Sequence, residues 1–389
     1  MEFDISWILL GLPMAFGLGW LMSRLDIRQL RIDNKRSPKA YFKGLNYLLN
    51  EQQDLAIDAF IEAVQNDPDT SELHFALGNL FRRRGEYDRA VRVHEHLLAR
   101  GDLKQQERDR AQHALSLDFL KAGLLDRAED AMAKLEGTSF EAQARLARLA
   151  IYERTRDWPQ ATRVANQLHN TPSAGDLSQR MAHYLCEQAQ EADKTNDSPS
   201  DKTAVYALLN QAIALAPHAA RPRIELAQLQ ANEKQPKLAY KTLGALTEYA
   251  QAAIPLIADK MHVLAIETQQ EPDAIARLEA AYAQSRSIDV LDAIVQLQVA
   301  QHGPQTPRQR YVQHLELDAS LAVAARWMAD EKLEHEQFHP QVQRALDKAV
   351  KPLLQYRCAA CGFSAQQHYW QCPGCQSWDS YPARRVEEL

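Results

Sequence analysis

An all-α repeat solenoid, preceded by one transmembrane helix and closed by a small four-cysteine metal module, is the fold class this sequence predicts. Three observations predict it: an uncharged run near the N-terminus, a residue pattern recurring at thirty-four positions, and two Cys-x2-Cys pairs near the C-terminus. At 389 residues the chain is long enough for an extended array. Its 46% hydrophobic and 25% charged residues are those of a folded protein. Runs of β-branched residues are scarce in the middle, which favours helices over strands. A net charge of -6 lacks the basic excess of a phosphate binder, so nucleic acid is not expected as a partner. The expected organisation is an anchor over residues 1–23, a basic juxtamembrane segment over 24–36, a repeat array over 37–355 and a metal module over 356–389.

Residues 5–22 carry no charge, and eighteen helical residues span roughly 27 Å, close to the hydrocarbon thickness of a thin bilayer. Trp7 and Trp20 flank the run, where indole rings favour the interface. A cleaved signal peptide fits less well. The residues before the run are acidic (Glu2, Asp4), and no small-x-small cleavage site follows. Direction follows from Arg24, Arg28, Arg31, Lys35, Arg36, Lys39 and Lys43, opposed only by Asp26 and Asp33. Basic flanks stay on the cytoplasmic side, so the N-terminus is expected outside and the bulk of the chain inside. The same stretch suits anionic lipid headgroups.

The repeat is read from Gly44-x-x-Tyr47, Ala56, Phe60, Ala63 and Pro68, answered thirty-four residues later by Gly78-x-x-Phe81 and Ala90. That is the tetratricopeptide period. Gly44 and Ala56 belong where the two helices of a repeat cross closely, Tyr47 and Phe60 fill the space between helices, and Pro68 ends one. Phe119, Gly123 and Ala128 give a third copy, and Tyr152, Trp158 and Ala161 a fourth. Ala212 and Pro217 close a fifth, whose internal loop is swollen by the polar stretch 193–201. Ala227, Ala239 and Leu246 suggest a sixth, and 274–282 the second helix of a seventh. Amphipathic helices continue from Ser287 to Gln355, broken near Gly303, Pro304 and Pro307. Stacked helix pairs present a surface that binds other proteins, and a homo-oligomer is compatible with it.

Four of the five cysteines form the pattern Cys358-x2-Cys361, ten residues, Cys372-x2-Cys375. Four thiolates from two tight turns suit one tetrahedral metal ion, zinc or iron. Gly362 and Gly374 are expected to permit the bends that aim amides at the sulfurs. A segment this short has no core of its own, so metal and aromatics (Tyr356, Phe363, Tyr369, Trp370, Trp378, Tyr381) stabilise it together. Two disulfides or reactive thiols are the rival readings, and a reducing compartment disfavours disulfides. With all four positions filled by protein, a structural role is expected. Electron transfer through iron is an alternative, and nucleic-acid binding another, although only Arg384 and Arg385 supply nearby positive charge.

Cys186, alone on a predicted helix, reads as a small buried hydrophobe. His94 and His96 point to different helix faces, and no histidine joins a carboxylate and a nucleophile in a recognisable arrangement. No phosphate-cradling glycine loop or nucleophile elbow is present. No catalytic residue is expected, and the chain reads as a non-enzyme.

Gly44-x-x-Tyr47-Leu-Leu-Asn-x-Gln52-Gln53-Asp54, Leu77-Gly-Asn-Leu-Phe-Arg82, Gly123-Leu-Leu-Asp-Arg-Ala-Glu-Asp130 and the terminal Tyr-x-Cys-x2-Cys-Gly-Phe…Tyr-Trp-x-Cys-Pro-x-Cys-x-x-Trp resemble the lipopolysaccharide assembly protein B family of Gram-negative bacteria. The resemblance covers the whole architecture, is most specific at the two ends and is least distinctive over 193–336. It implies a single-pass inner-membrane protein with a rubredoxin-like C-terminal domain and Cys358, Cys361, Cys372 and Cys375 as metal ligands. It further implies an adaptor that helps the protease FtsH degrade the lipid A pathway deacetylase and works with other inner-membrane lipopolysaccharide proteins.

Overall fold

The computed structural model describes residues 16–17, 20, 22, 42–66, 70–169, 171–172, 174–195, 202–303, 307–329 and 339–389. Among them no helix is long and apolar enough to cross a membrane. The expected span over 5–22, apart from residues 16, 17, 20 and 22, lies outside the described residues, as do the basic stretch up to residue 41 and Pro68.

The chain divides into two compact units, Met1–Thr155 and Arg156–Leu389. The first contains helical residues 42–49 with Gln53–Asn66, then Ser71–Arg84 with Tyr87–Ala99, Gln105–Ala122 with Leu125–Ala133, and Glu141–Thr155. The second opens on Trp158–Leu168 and runs through five further pairs. These are Ser178–Thr195 with Thr203–Leu215, Ala220–Asn232 with Pro236–Gly244, Ile254–Thr268 with Glu271–Ser285, Ile288–His302 with Pro307–Leu317, and Leu321–Ala329 with His339–Val350. The tetratricopeptide-like solenoid is therefore as expected. Its period is most regular where the sequence is least distinctive: the first helices beginning at Ala220, Ile254 and Ile288 start thirty-four residues apart. One boundary moves. The polar stretch 193–201 is not all loop, because the Ser178–Thr195 helix absorbs its first three residues and residues 196–201 lie outside those described.

The small residues sit where the helices cross. Ala56, Ala90, Ala128, Ala161, Ala212, Ala239 and Ala274 are all fully buried at 0% exposure. A methyl group built on Gly44 would stand 2.9 Å from the Phe60 ring. On Gly78, one repeat later, it would stand 2.5 Å from the His94 ring. Gly85 (φ 85) and Gly123 (φ 78) terminate their helices in the left-handed conformation that glycine adopts without strain.

His94 is buried, and its Nδ1 lies 2.5 Å from the buried carboxylate of Asp118. Arg82 Nη1 donates to the other oxygen of Asp118 at 2.7 Å and to the Ala114 carbonyl at 3.0 Å. This network ties Ser71–Arg84 to Gln105–Ala122. Burial of a carboxylate is tolerated because both oxygens face cationic or N–H partners.

Candidate metal centre

The segment after Val350 makes one short antiparallel pair, Tyr356–Arg357 with Ser364–Ala365, and two tight turns. In the first turn the Cys358 amide donates to the Phe363 carbonyl at 2.9 Å, and the Gly362 amide to the Cys358 carbonyl at 2.9 Å. The second turn repeats this arrangement. The Cys372 amide donates to Ser377 at 2.9 Å and the Gln376 amide to Cys372 at 2.8 Å. Gly362 (φ 78) holds the left-handed position of the first turn, as expected. In the second that position belongs to Gln376 (φ 61), not to Gly374. A methyl group on Gly374 would only reach ordinary van der Waals contact with the Phe363 side chain, at 3.4 Å.

The turns bring the four sulfurs together, with all ligand atoms within 4.8 Å of one another. Cys358 Sγ lies 3.8 Å from Cys375 Sγ, and Cys361 Sγ lies 3.7 Å from Cys372 Sγ. A tetrahedron with metal–sulfur bonds of about 2.3 Å has edges of about 3.8 Å, so the spacing fits one four-coordinate ion. The electrostatics agree. Cys358 is drawn down to about 6: burial raises its pKa, but the Ser380 hydroxyl and the amides of Ala360 and Cys361 outweigh it. Cys375 is also lowered, chiefly by Ser377, whereas Cys361, against the lowering effect of the Phe363 amide, is pushed up to about 12 by burial and the neighbouring sulfurs. Four sulfurs this close resist becoming four thiolates without a cation among them. Cys186 is buried on Ser178–Thr195 with its thiol pushed well up by burial, and takes no part.

Tyr356, Cys358, Cys372 and Tyr381 form the module's small core, with Leu256 of the array against it. Tyr381 donates its hydroxyl to the Phe363 carbonyl at 3.1 Å. The module also docks on helices far away in the sequence. Trp378 stacks on His183 at 4.8 Å between ring centres and meets Trp158 and Tyr184 edge-on at 6.0 Å. His183 Nε2 and Gln179 Nε2 both lie 2.9 Å from the Asp379 carboxylate. These partners are about two hundred residues distant in sequence, beyond the reach of any motif reading. Downstream, Arg385 clamps Asp289 in two hydrogen bonds of 2.8 and 2.9 Å and covers the Tyr356 ring at 4.2 Å. Arg385 is thus committed inside the fold, which removes half of the basic patch weighed for nucleic acid. Glu388 accepts the Ile288 amide at 2.6 Å, and Glu387 accepts the Leu321 amide at 2.6 Å. Two carboxylates therefore meet the positive ends of two successive first helices.

The fold and this cluster define a class: a tetratricopeptide-like solenoid carrying a rubredoxin-like four-cysteine module arranged for tetrahedral metal binding. Residues 356–381 match the rubredoxin metal binding domain, and residues 73–110 match the tetratricopeptide repeat. Over 388 residues the chain is 29% identical to lipopolysaccharide assembly protein B of Escherichia coli strain K12, covering 97% of this chain and 98% of that protein. The protein of the same name from Haemophilus influenzae is 27% identical over 398 residues, covering 97% of both chains. Similarity over the full length, with the C-terminal match, bears out the resemblance to the lipopolysaccharide assembly protein B family. Among solved structures, a tetratricopeptide repeat protein from Parabacteroides merdae aligns at 11% identity with a TM-score of 0.28, covering 76% of this chain and 98% of that one.

Proposed function

We propose that this chain is a membrane-tethered scaffold of lipopolysaccharide assembly and not an enzyme. The observation that carries the reading is likeness to lipopolysaccharide assembly protein B over 97% of the chain, together with the separate match of the metal module at residues 356–381. In this reading residues 5–22 hold the chain in the bacterial inner membrane with the N-terminus in the periplasm. The array over 37–355 grips a protein client, and Cys358, Cys361, Cys372 and Cys375 hold one zinc or iron ion. When bound, that ion neutralises the four thiolates and fixes both turns. The protein's own groups do the rest: Trp378 and Asp379 seat the module on His183, and Glu387 and Glu388 cap array helices.

The client is the lipid A pathway deacetylase, presented to the membrane protease FtsH. The test is the deacetylase half-life in cells depleted of this protein and then supplied with full-length or anchor-deleted chain. Depletion should lengthen the half-life severalfold, and only the anchored form should restore it. An unchanged half-life on depletion would overturn the adaptor reading.

A further inference from the structure

In the unit Met1–Thr155, three first helices end in the same way. Phe81, Phe119 and Tyr152 are buried, and two residues beyond each stands an exposed cation: Arg83, Lys121 and Arg154. Two residues further the backbone turns left-handed, at Gly85, Gly123 and Arg156. The three cations therefore share one register and one side of the array. The neighbouring arginine shows what a structural cation looks like here. Arg82 turns inward to Asp118 and the Ala114 carbonyl, setting the end of Ser71–Arg84 against the second half of Gln105–Ala122. Leu115, Phe119, Ala144 and Ile151 join Gln105–Ala122 and Glu141–Thr155 in one core.

Cations in a last helical turn favour the helix dipole on any face. That accounts for neither the shared register nor the contrast with Ala220–Asn232 and Ile254–Thr268, whose last turns carry no basic residue. Packed helices lie about 8–10 Å apart, and an extended chain rises about 3.3 Å per residue. A cation per first helix thus meets every third residue of an extended strand.

We propose that Arg83, Lys121 and Arg154 form a cationic column that receives an extended acidic segment of the client, with a carboxylate at about every third residue. The proposal rests on the scaffold reading and gives its client a chemistry. Surface charges of this kind steer encounter and set specificity against wrong partners.

The probe is a fluorescein-labelled synthetic peptide of six Glu-Ser-Ser units, titrated with the metal-loaded full chain in detergent micelles and read by anisotropy. The variant Arg83→Glu/Lys121→Glu/Arg154→Glu should bind it at least tenfold more weakly than wild type. The control Arg92→Glu/Lys134→Glu/Arg163→Glu, with the same charge change on cations in or just beyond second helices, should lose less than threefold. Should charge reversal lower the melting temperature, the neutral set Arg83→Gln/Lys121→Gln/Arg154→Gln takes its place and should still weaken binding severalfold. Equal losses in column and control variants would mean bulk charge alone, and the column would be overturned. Wild-type binding by the column variant would overturn it too, as would an oligothymidylate that binds there more tightly than the peptide. Neither deacetylase nor protease enters this assay, so failure of the adaptor reading would show in the half-life and leave the peptide result standing.

Discussion

Two consecutive repeats solve one crossing with different chemistry. At Gly44 the partner is Phe60, an apolar ring buried in the core. At Gly78 the equivalent ring is His94, and its burial recruits Asp118 and then Arg82. A polar ring at a core position thus commits two further residues on two other helices. The repeat that uses it gains a specific bridge to its neighbour and becomes the more fragile of the two.

Asp118→Ala should have the largest effect. It strips the partner from buried His94 and Arg82 at once, and breaking such a pair costs about 3–5 kcal/mol. Urea unfolding read by helical circular dichroism measures it; a loss under 1 kcal/mol would show that the network adds no stability. Next come the glycines. Gly78→Ala collides with a ring that Asp118 holds in place, and overpacking of this kind costs about 1–3 kcal/mol. Gly44→Ala meets the buried Phe60 ring at 2.9 Å and not at 2.5 Å, so its cost should be lower by about 1 kcal/mol. Equal costs would erase the distinction drawn between the two repeats.

The smallest effect is in acid. Burial holds the imidazoles of His113, His314 and His368 below the ordinary 6.5. The unfolded chain takes up protons near that pH which the folded chain refuses. Their contribution is therefore complete above pH 6.5 and is lost as the pH falls toward the depressed folded values. His314→Gln should flatten this slope by at most about 1.4 kcal/mol per pH unit, measured as urea midpoints between pH 5 and 7.5.

What the sequence discloses follows the range of the interaction. Gly44, Ala56, Phe60 and the cysteine spacing are legible because helix crossing and metal binding act at fixed short offsets. The Arg82–Asp118–His94 bridge is not, since nothing in a lone arginine, aspartate and histidine 24 and 36 residues apart announces a buried contact. The second cysteine turn shows a subtler limit. Gly374 is the residue that sequence alone offers for the bend, yet Gln376 holds the left-handed position there. Residue type suggests where the bend falls, but a non-glycine residue can hold the left-handed position, so the bend is not tied to the glycine.

An array of stacked repeats ordinarily behaves as a one-dimensional chain in which each unit answers only to its neighbours, and its ends melt first. The contacts of Gln179 and His183 with Asp379 span 200 and 196 residues and close that chain into a ring of dependencies. Within Arg156–Leu389, fraying at one end then removes support from the other, so the helices between are lost together. Cooperativity that the repeats lack by design is supplied by the loop the module closes, and its entropic cost grows only slowly with the length enclosed. A few contacts at Trp378 and Asp379 therefore govern how a whole array of helices comes apart.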